Sequence, residues 1–157
     1  MKPKVYLETT IPSLLVARPS PMLRVANDQQ MTREWWETRR GEFQLFVSEL
    51  VLQESARGDR ALAAQRRVII APCRVLEATD AARSLTVELL ASGLIPAKAA
   101  ADAVHIAVAA VHGMDFLLTW NCRHIANAMT VDCIRELCGR QGFPAPVICT
   151  PYELMLP

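Results

Sequence analysis

Glycine is scarce in this chain: six residues in 157, none of them clustered. A Gly-rich loop that cradles phosphates is therefore missing, which disfavours nucleotide and dinucleotide binding. No stretch of about 18 or more uncharged apolar residues occurs, so a helical membrane span is excluded. Cysteine is odd in number, at positions 73, 122, 133, 138 and 149, and no C-x-x-C pair is present. A zinc site wants paired ligands at short spacing, so buried structural thiols in a reducing compartment are expected instead. An excess of one charge is missing too: 17 basic residues face 16 acidic ones, a net charge of +1. That is no footprint for broad, non-specific nucleic-acid binding. No G-x-S-x-G elbow presents a nucleophilic serine. The N-terminus, Met1 to Val5, carries positive charge but no apolar signal-peptide core, and a cytoplasmic location is expected.

What is present is an ordinary globular balance, 52% apolar and 21% charged residues. The length suits one domain, expected over 1–157, with no visible linker or repeat. Val5-Tyr6-Leu7 reads as a first strand. Met22 to Glu42 reads as helix, and its Trp35-Trp36 pair places one indole inward and the other over a groove or partner surface. Phe43 to Val47 reads as a second strand, with Ser48 as N-cap of a helix through Glu54. Arg60 to Arg67 predicts a short helix and Val68 to Pro72 a third strand. Thr79 or Asp80 caps a helix carrying Leu85, Leu89 and Leu90, stopped by Gly93. Pro96 opens a helix over Ala97 to His112, which Gly113 ends. Phe116 to Thr119 predicts a strand, Ile125 to Arg140 a last long helix and Val147 to Cys149 a last strand. Alternating strands and helices argue for an α/β fold, a parallel sheet covered on both faces. Ligands of such sheets bind beyond the carboxyl ends of the strands, where strand order reverses.

The candidate chemistry lies after the strands. Glu8 stands at the exit of the first strand, where it serves either the crevice or a turn. Asp102 lies within the alanine-rich helix; a carboxylate on an apolar stripe is costly unless paired or metal-bound. Its bland partners would be Lys98 or His105. Glu54 and Glu49 are five residues apart, about 500° around a helix, so only one of them can look inward. Asn121 follows the fourth strand, where it serves as a helix N-cap, a crevice acceptor or both. His105 and His124 suit hydrogen-bonding roles near these acids. Asp115, at a strand's start, faces the other end.

Three carboxylates converging on one partly dry crevice repel one another and require a cation. Hard oxygen ligands select magnesium or manganese over zinc. Such an ion can activate a water and offset charge on a phosphorus-centred transition state, so phosphodiester hydrolysis is the expected reaction class.

The segments Tyr6 to Ser13, Val47 to Glu54, Ile95 to Ala107 and Leu117 to Asn127 occur in an order that resembles the PIN-domain family, more narrowly the VapC-type toxins of bacterial toxin–antitoxin pairs. Asp102-Ala103-Val104-His105-Ile106-Ala107 is the most specific block. The resemblance implies a three-layer α/β/α sandwich around a central parallel sheet. It implies a Mg²⁺- or Mn²⁺-dependent endoribonuclease that cuts structured RNA to leave a 5′-phosphate, inhibited by a cognate antitoxin and homodimeric. The family's first, second and third acids fall on Glu8, Glu54 and Asp102, all as metal ligands, with Glu54 alternatively orienting the attacking water. The fourth acidic position falls at Asn121, as a neutral oxygen or a water-positioning group. Thr9 or Thr10 matches a small hydroxyl residue after the first acid. Two positions depart from the pattern. Glu8 replaces the usual Asp, which extends the carboxylate by one bond of about 1.5 Å. Asn121 removes a charge, which weakens a second metal.

Two other functions fit parts of the pattern. A PIN-like module that binds RNA or protein with little cleavage suits the near-neutral charge and Asn121. A phosphatase would want Asp-x-Asp after the first strand, where Glu8-Thr9-Thr10 stands. For a dimer contact the candidates are Trp35, Trp36, Met22 and Leu23.

Overall fold

The computed structural model describes residues 1–155; Leu156 and Pro157, part of the domain expected over 1–157, lie outside the described residues. Val5, Tyr6 and Leu7 have no exposed surface at all, so both faces of their strand are covered. This is the pattern of a parallel strand clothed by helices on each side. The strand, β1 (Lys4–Leu7), is the middle of a five-stranded sheet. The others are β2 (Gln44–Ser48), β3 (Arg74–Leu76), β4 (Phe116–Leu118) and β5 (Val147–Cys149). Their order is β3-β2-β1-β4-β5, every pair parallel.

The helices are α1 (Thr10–Val16), α2 (Leu23–Thr38), α3 (Glu49–Ser55), α4 (Arg60–Ile70), α5 (Asp80–Ala91), α6 (Ala100–Val111) and α7 (Val131–Arg140). The path from β1 to β2 to β3 moves toward one edge, and the path from β3 to β4 to β5 returns toward the other. Right-handed crossovers then put α1 to α4 on one face and α5 to α7 on the opposite face. The packing agrees: α1 lies against α2 and α4, and α5 lies against α6 and α7. The order reverses between β1 and β4, and their register brings Leu7 beside Leu118. Glu8 and Thr119 therefore leave the sheet side by side at its C-terminal rim.

Local signals explain most boundaries. The Ser48 hydroxyl accepts the Val51 N–H at the start of α3, and Thr79 does the same for Ala82 at α5. Gly113 ends α6 with a φ of 65°, a conformation that costs a side chain but not glycine.

Three expected elements differ. Val68 to Ile70 is the end of α4, and the third strand follows it at Arg74–Leu76. Asp59 caps α4 through the Leu62 N–H, and Ala63 and Ile70, two turns apart, anchor one face. That continuous face outweighs the strand preference of the β-branched run. The last helix begins at Val131, not Ile125; residues 122–130 form turns. The alanine-rich helix opens as a three-residue 3₁₀ turn, Ala97–Ala99, and becomes α-helical only at Ala100.

The thiols are all free, but only Cys73, Cys138 and Cys149 are buried, while Cys122 and Cys133 are exposed. Burial pushes Cys73 and Cys138 up to about 11 and Cys149 up to about 12, so these three stay as inert thiols. Trp35 is wholly buried and has no surface to offer a partner. Trp36 is half-buried beneath the Arg40 guanidinium, 4.9 Å from its ring centre. Met22 and Leu23 are exposed. Among the described residues, no helix is long and apolar enough to cross a membrane.

Candidate active site

The chain leaves β1 at Glu8 and turns at once into α1. Only 5% of Glu8 is exposed. An ionised carboxylate at such a position needs donors, and the local sequence supplies them. Its Oε2 accepts the Thr10 N–H at 3.0 Å, the Thr10 hydroxyl at 2.5 Å and the Thr119 hydroxyl at 2.8 Å. The Thr10 oxygen in turn accepts the Trp120 N–H, and the Thr119 oxygen accepts the Asn121 N–H. Glu8 thus closes the turn into α1 and pins it to the end of β4. Among the described residues its Oε1 has no partner, and it is not sealed from solvent.

Glu54 lies near the end of α3. Its Oε1 accepts the Thr9 hydroxyl at 2.7 Å and lies 2.7 Å from His105 Nε2. His105 is buried on α6, and its Nδ1 lies 2.6 Å from the Tyr6 hydroxyl. That hydroxyl is 2.7 Å from Ser48 Oγ. Ser48 Oγ already accepts the Val51 N–H. Assigning protons so that each group is satisfied has Ser48 donating to Tyr6, Tyr6 to His105, and His105 to Glu54. The line runs from the core of β1 and β2, through α6, to the rim.

The electrostatics follow this wiring. Burial pushes the Tyr6 phenol far up, against the Ser48 hydrogen bond; the Glu8 and Glu54 charges add to the rise, and Tyr6 stays a phenol. Burial also pushes the Glu54 carboxyl up, but the hydrogen bonds from His105 and Thr9 and the nearby charge of Arg57 outweigh it. Glu54 ends below the usual carboxylate range and is ionised at neutral pH.

Asp102 stands in the first turn of α6, half-buried. The expectation of a helix-interior aspartate rested on a helix starting at Ala97. In the first turn a carboxylate is favoured by unpaired N–H groups and by the helix dipole. Neither Lys98 nor His105 pairs with it; His105 gives its nitrogens to Glu54 and Tyr6. Asp102 and His105 are one turn apart, with Cβ atoms about 5–6 Å apart in such a pair. Thr9, the neighbour of Glu8, reaches Glu54, and His105, one turn from Asp102, reaches the same Glu54 oxygen. These links tie the turn after Glu8 and the first turns of α6 to Glu54, whereas Glu49 carries no hydrogen bond to this network.

Asn121 sits at the rim after β4, but no helix follows it. Its Oδ1 accepts the His124 N–H at 3.0 Å, and its carbonyl accepts from Ile125 and Ala126, which closes a turn. Tyr6 and Thr119 are the residues that sequence reasoning missed. An alternating or apolar strand pattern marks them as core, and only the packing of β1 against β2, β4 and α6 reveals what their hydroxyls touch.

The unengaged oxygens here are those of carboxylates, Glu8 Oε1, Glu54 Oε2 and both of Asp102, a hard donor set suited to Mg²⁺ or Mn²⁺. Among the described residues, no three His, Cys, Asp or Glu side chains are drawn together into a group that could hold a metal ion. Mg²⁺ uses one or two carboxylates and keeps several waters, so the donor set fits that ion in kind.

Comparison of the sequence with protein-family models gives no match, and neither does comparison with curated proteins. Solved structures do match. VapC20 from Mycobacterium tuberculosis, a toxin that cleaves the sarcin-ricin loop, superposes with a TM-score of 0.60 at 17% identity, over 80% of this chain and 95% of that one. VapBC2 from Rickettsia felis, solved bound to a DNA fragment from its promoter, gives 0.54 at 13% identity, over 93% of this chain and 97% of that one. The five-stranded parallel sheet with its helices is the α/β architecture of the PIN-domain VapC toxins.

Proposed function

We propose that this chain is a metal-dependent endoribonuclease of the VapC type. The observation that carries the reading is the line of hydrogen bonds from Ser48 through Tyr6 and His105 to Glu54, ending beside Glu8 at the sheet's switch point. Three polar groups from three elements are spent on orienting one ionised carboxylate, which an apolar core does not require. The fold shared with an RNA-cleaving toxin supports the same reading.

One or two of the carboxylates of Glu8, Asp102 and Glu54 would hold Mg²⁺ or Mn²⁺, with waters in the remaining positions. When bound, such an ion makes water a better nucleophile and offsets the charge gathering on the phosphoryl oxygens. Glu54, kept ionised, accepts a hydrogen bond from the attacking water through its free oxygen. Thr10 and Thr119 fix Glu8 so that only Oε1 is left to the crevice. Asn121 offers its amide nitrogen to a water or a phosphate oxygen, since its carbonyl oxygen already closes a turn. The water oxygen bonds to phosphorus as its proton passes by way of Glu54 to solvent; the bond to the 3′ oxygen breaks, that oxygen takes up a proton from solvent water, and the 5′-phosphate stays with the downstream fragment. An antitoxin that covers this rim is the proposed partner, in keeping with the VapBC2 complex, and a homodimer through the Met22–Leu23 surface is the proposed assembly. The direct test is cleavage of a structured RNA by the purified protein with Mg²⁺ or Mn²⁺. Metal-dependent cleavage by wild type and none by Asp102→Ala is expected; equal cleavage by both removes Asp102 from the mechanism.

One observation favours a second reading, a PIN-like module that binds RNA or protein without cutting: the side chains at the rim are not drawn into a three-membered metal group. Titration calorimetry separates the two. Manganese binding at millimolar concentration or below supports the nuclease, and RNA binding without any metal binding supports the module.

A further inference from the structure

The chain as a whole is nearly neutral, but its charge is unevenly placed. Between Arg57 and Arg74 there are five arginines and one acid, Asp59; the rest of the chain carries twelve basic and fifteen acidic residues. This segment starts at the site. The Arg57 N–H donates to the Glu54 carbonyl at 3.2 Å, so the first arginine sits one turn beyond the oriented carboxylate. The five arginines divide into two kinds. Arg66 is half-buried and structural: its Nε donates to the Ser55 carbonyl at 2.9 Å and a terminal nitrogen donates to the Arg57 carbonyl at 2.5 Å. It fastens α4 to the end of α3. Arg57, Arg60, Arg67 and Arg74 are exposed, and among the described residues none has an ion pair or a side-chain hydrogen bond. Exposed arginines elsewhere are mixed: Arg83 pairs with Asp80 and Arg135 with Asp132, whereas Arg18, Arg24, Arg123 and Arg140 stand without an ion pair among the described residues but are scattered singly along the chain.

Position along α4 sharpens the pattern. Arg60 and Arg67 are seven residues apart, on one side of the helix and about 10 Å apart along it. Arg67 shares the cleft between α3 and α4 with Leu52, Ser55 and Ile70. Arg74 lies on the edge strand β3, its guanidinium 5.8 Å from the Phe46 ring. The guanidinium fork matches phosphate oxygens, and four forks without an ion pair, on a segment that starts one turn beyond Glu54, suit an anion with repeated phosphates.

We infer that Arg57, Arg60, Arg67 and Arg74 form a track along α4 and the β3 edge that holds the phosphate backbone of the RNA whose scissile bond lies at the Glu8–Glu54 rim. The inference rests on the nuclease reading for its substrate, but its test does not need turnover. Contacts of this kind position the strand without reading its sequence.

The experiment measures binding of a fluorescein-labelled RNA hairpin to the full chain in a chelator, across salt concentrations of about 50 to 200 mM. Wild type is compared with Arg60→Gln/Arg67→Gln and, as a control distant from the track, Arg83→Gln/Arg135→Gln. The track predicts a roughly tenfold weaker affinity for the first pair and a salt slope reduced by about 1.4, two single-strand phosphate contacts. The control pair binds as wild type, and both pairs keep the wild-type melting temperature. Unchanged affinity and slope in Arg60→Gln/Arg67→Gln overturns the track, as does an equal loss in the control pair or an absence of RNA binding by wild type. Cleavage on adding Mn²⁺ with unaltered binding by the arginine pair sinks the track and leaves the nuclease standing. Arginine-dependent binding with no cleavage under any metal does the reverse.

Discussion

The two ends of the sheet use the same residue type for different ends. At the N-terminal rim, Asp115 accepts the Lys4 N–H through its carboxylate, while its own N–H and carbonyl pair with Lys4 and Val147. Every partner there is backbone from a neighbouring strand, and the group is exposed. At the C-terminal rim, Glu8 and Glu54 are held by side-chain hydroxyls and an imidazole that come from the segment after β1, α1, α6 and the segment after β4. The first carboxylate stitches a sheet edge, which any good acceptor could do. The second pair is oriented from several directions, and each of its members keeps one oxygen free. Orientation by groups remote in sequence is what a chemical site requires and what a sheet edge does not.

The comparison can be broken most severely at Glu8. Glu8→Ala leaves the Thr10 and Thr119 donors without their acceptor at a buried turn; we expect a loss of about 3 kcal/mol of stability in urea unfolding, together with loss of RNA cleavage. Unfolding at the wild-type midpoint would place this carboxylate with Asp115 after all. Asp102→Ala separates the two properties, because among the described residues Asp102 has no side-chain partner: cleavage should fall by roughly a hundredfold or more while the melting temperature stays put. His105→Phe keeps the packing of α6 but unties Glu54, and a fall in rate of roughly tenfold to a hundredfold is expected, with the nuclease assay as readout. Glu54 also carries a pH signature. Its folded carboxyl titrates below its value of 4.5 in the unfolded chain, so its stabilising contribution is fully present above that value and is lost as pH falls through the lower folded one. Acid titrations of stability for wild type and Glu54→Gln should therefore differ by a constant amount above 4.5 and draw together as pH falls through the lower folded value. The smallest effect belongs to Asp115→Asn, which keeps an acceptor for the Lys4 N–H: a change of about 1 kcal/mol or less, and no change in cleavage.

How much could be read in advance depended on whether a residue's partners were near it in the chain. Ser48 and Thr79 announced their helices because a capping oxygen serves an N–H three residues on. The strand at Val5 to Leu7 and the acids at Glu8 and Glu54 were visible for similar reasons: an apolar run, a polar exit, a helix after it. The run Val68 to Ile70 misled because its branched side chains favour a strand, while the Asp59 cap and the buried Ala63–Ile70 face kept it helical. Asn121 misled in the same manner, since an asparagine accepting an N–H three residues later serves a turn as readily as a helix. Asp102 was singled out for a wrong reason: it stands in a first turn rather than an interior, although its want of any partner is now the better argument. The Tyr6–His105 contact spans 99 residues and the Glu8–Thr119 contact 111, and neither leaves a local trace.

By itself the sequence determined the class of fold and the rim where polar groups emerge, because strand and helix periodicity and caps are short-range properties of a chain. Which carboxylate oxygens are occupied, which histidine nitrogen meets which acid, and which arginines stand unpaired beside them were decided only when β1 docked between β2 and β4 and α4 was fastened to α3. Those choices rest on distances between residues far apart in the chain, and such distances exist only once the core has closed.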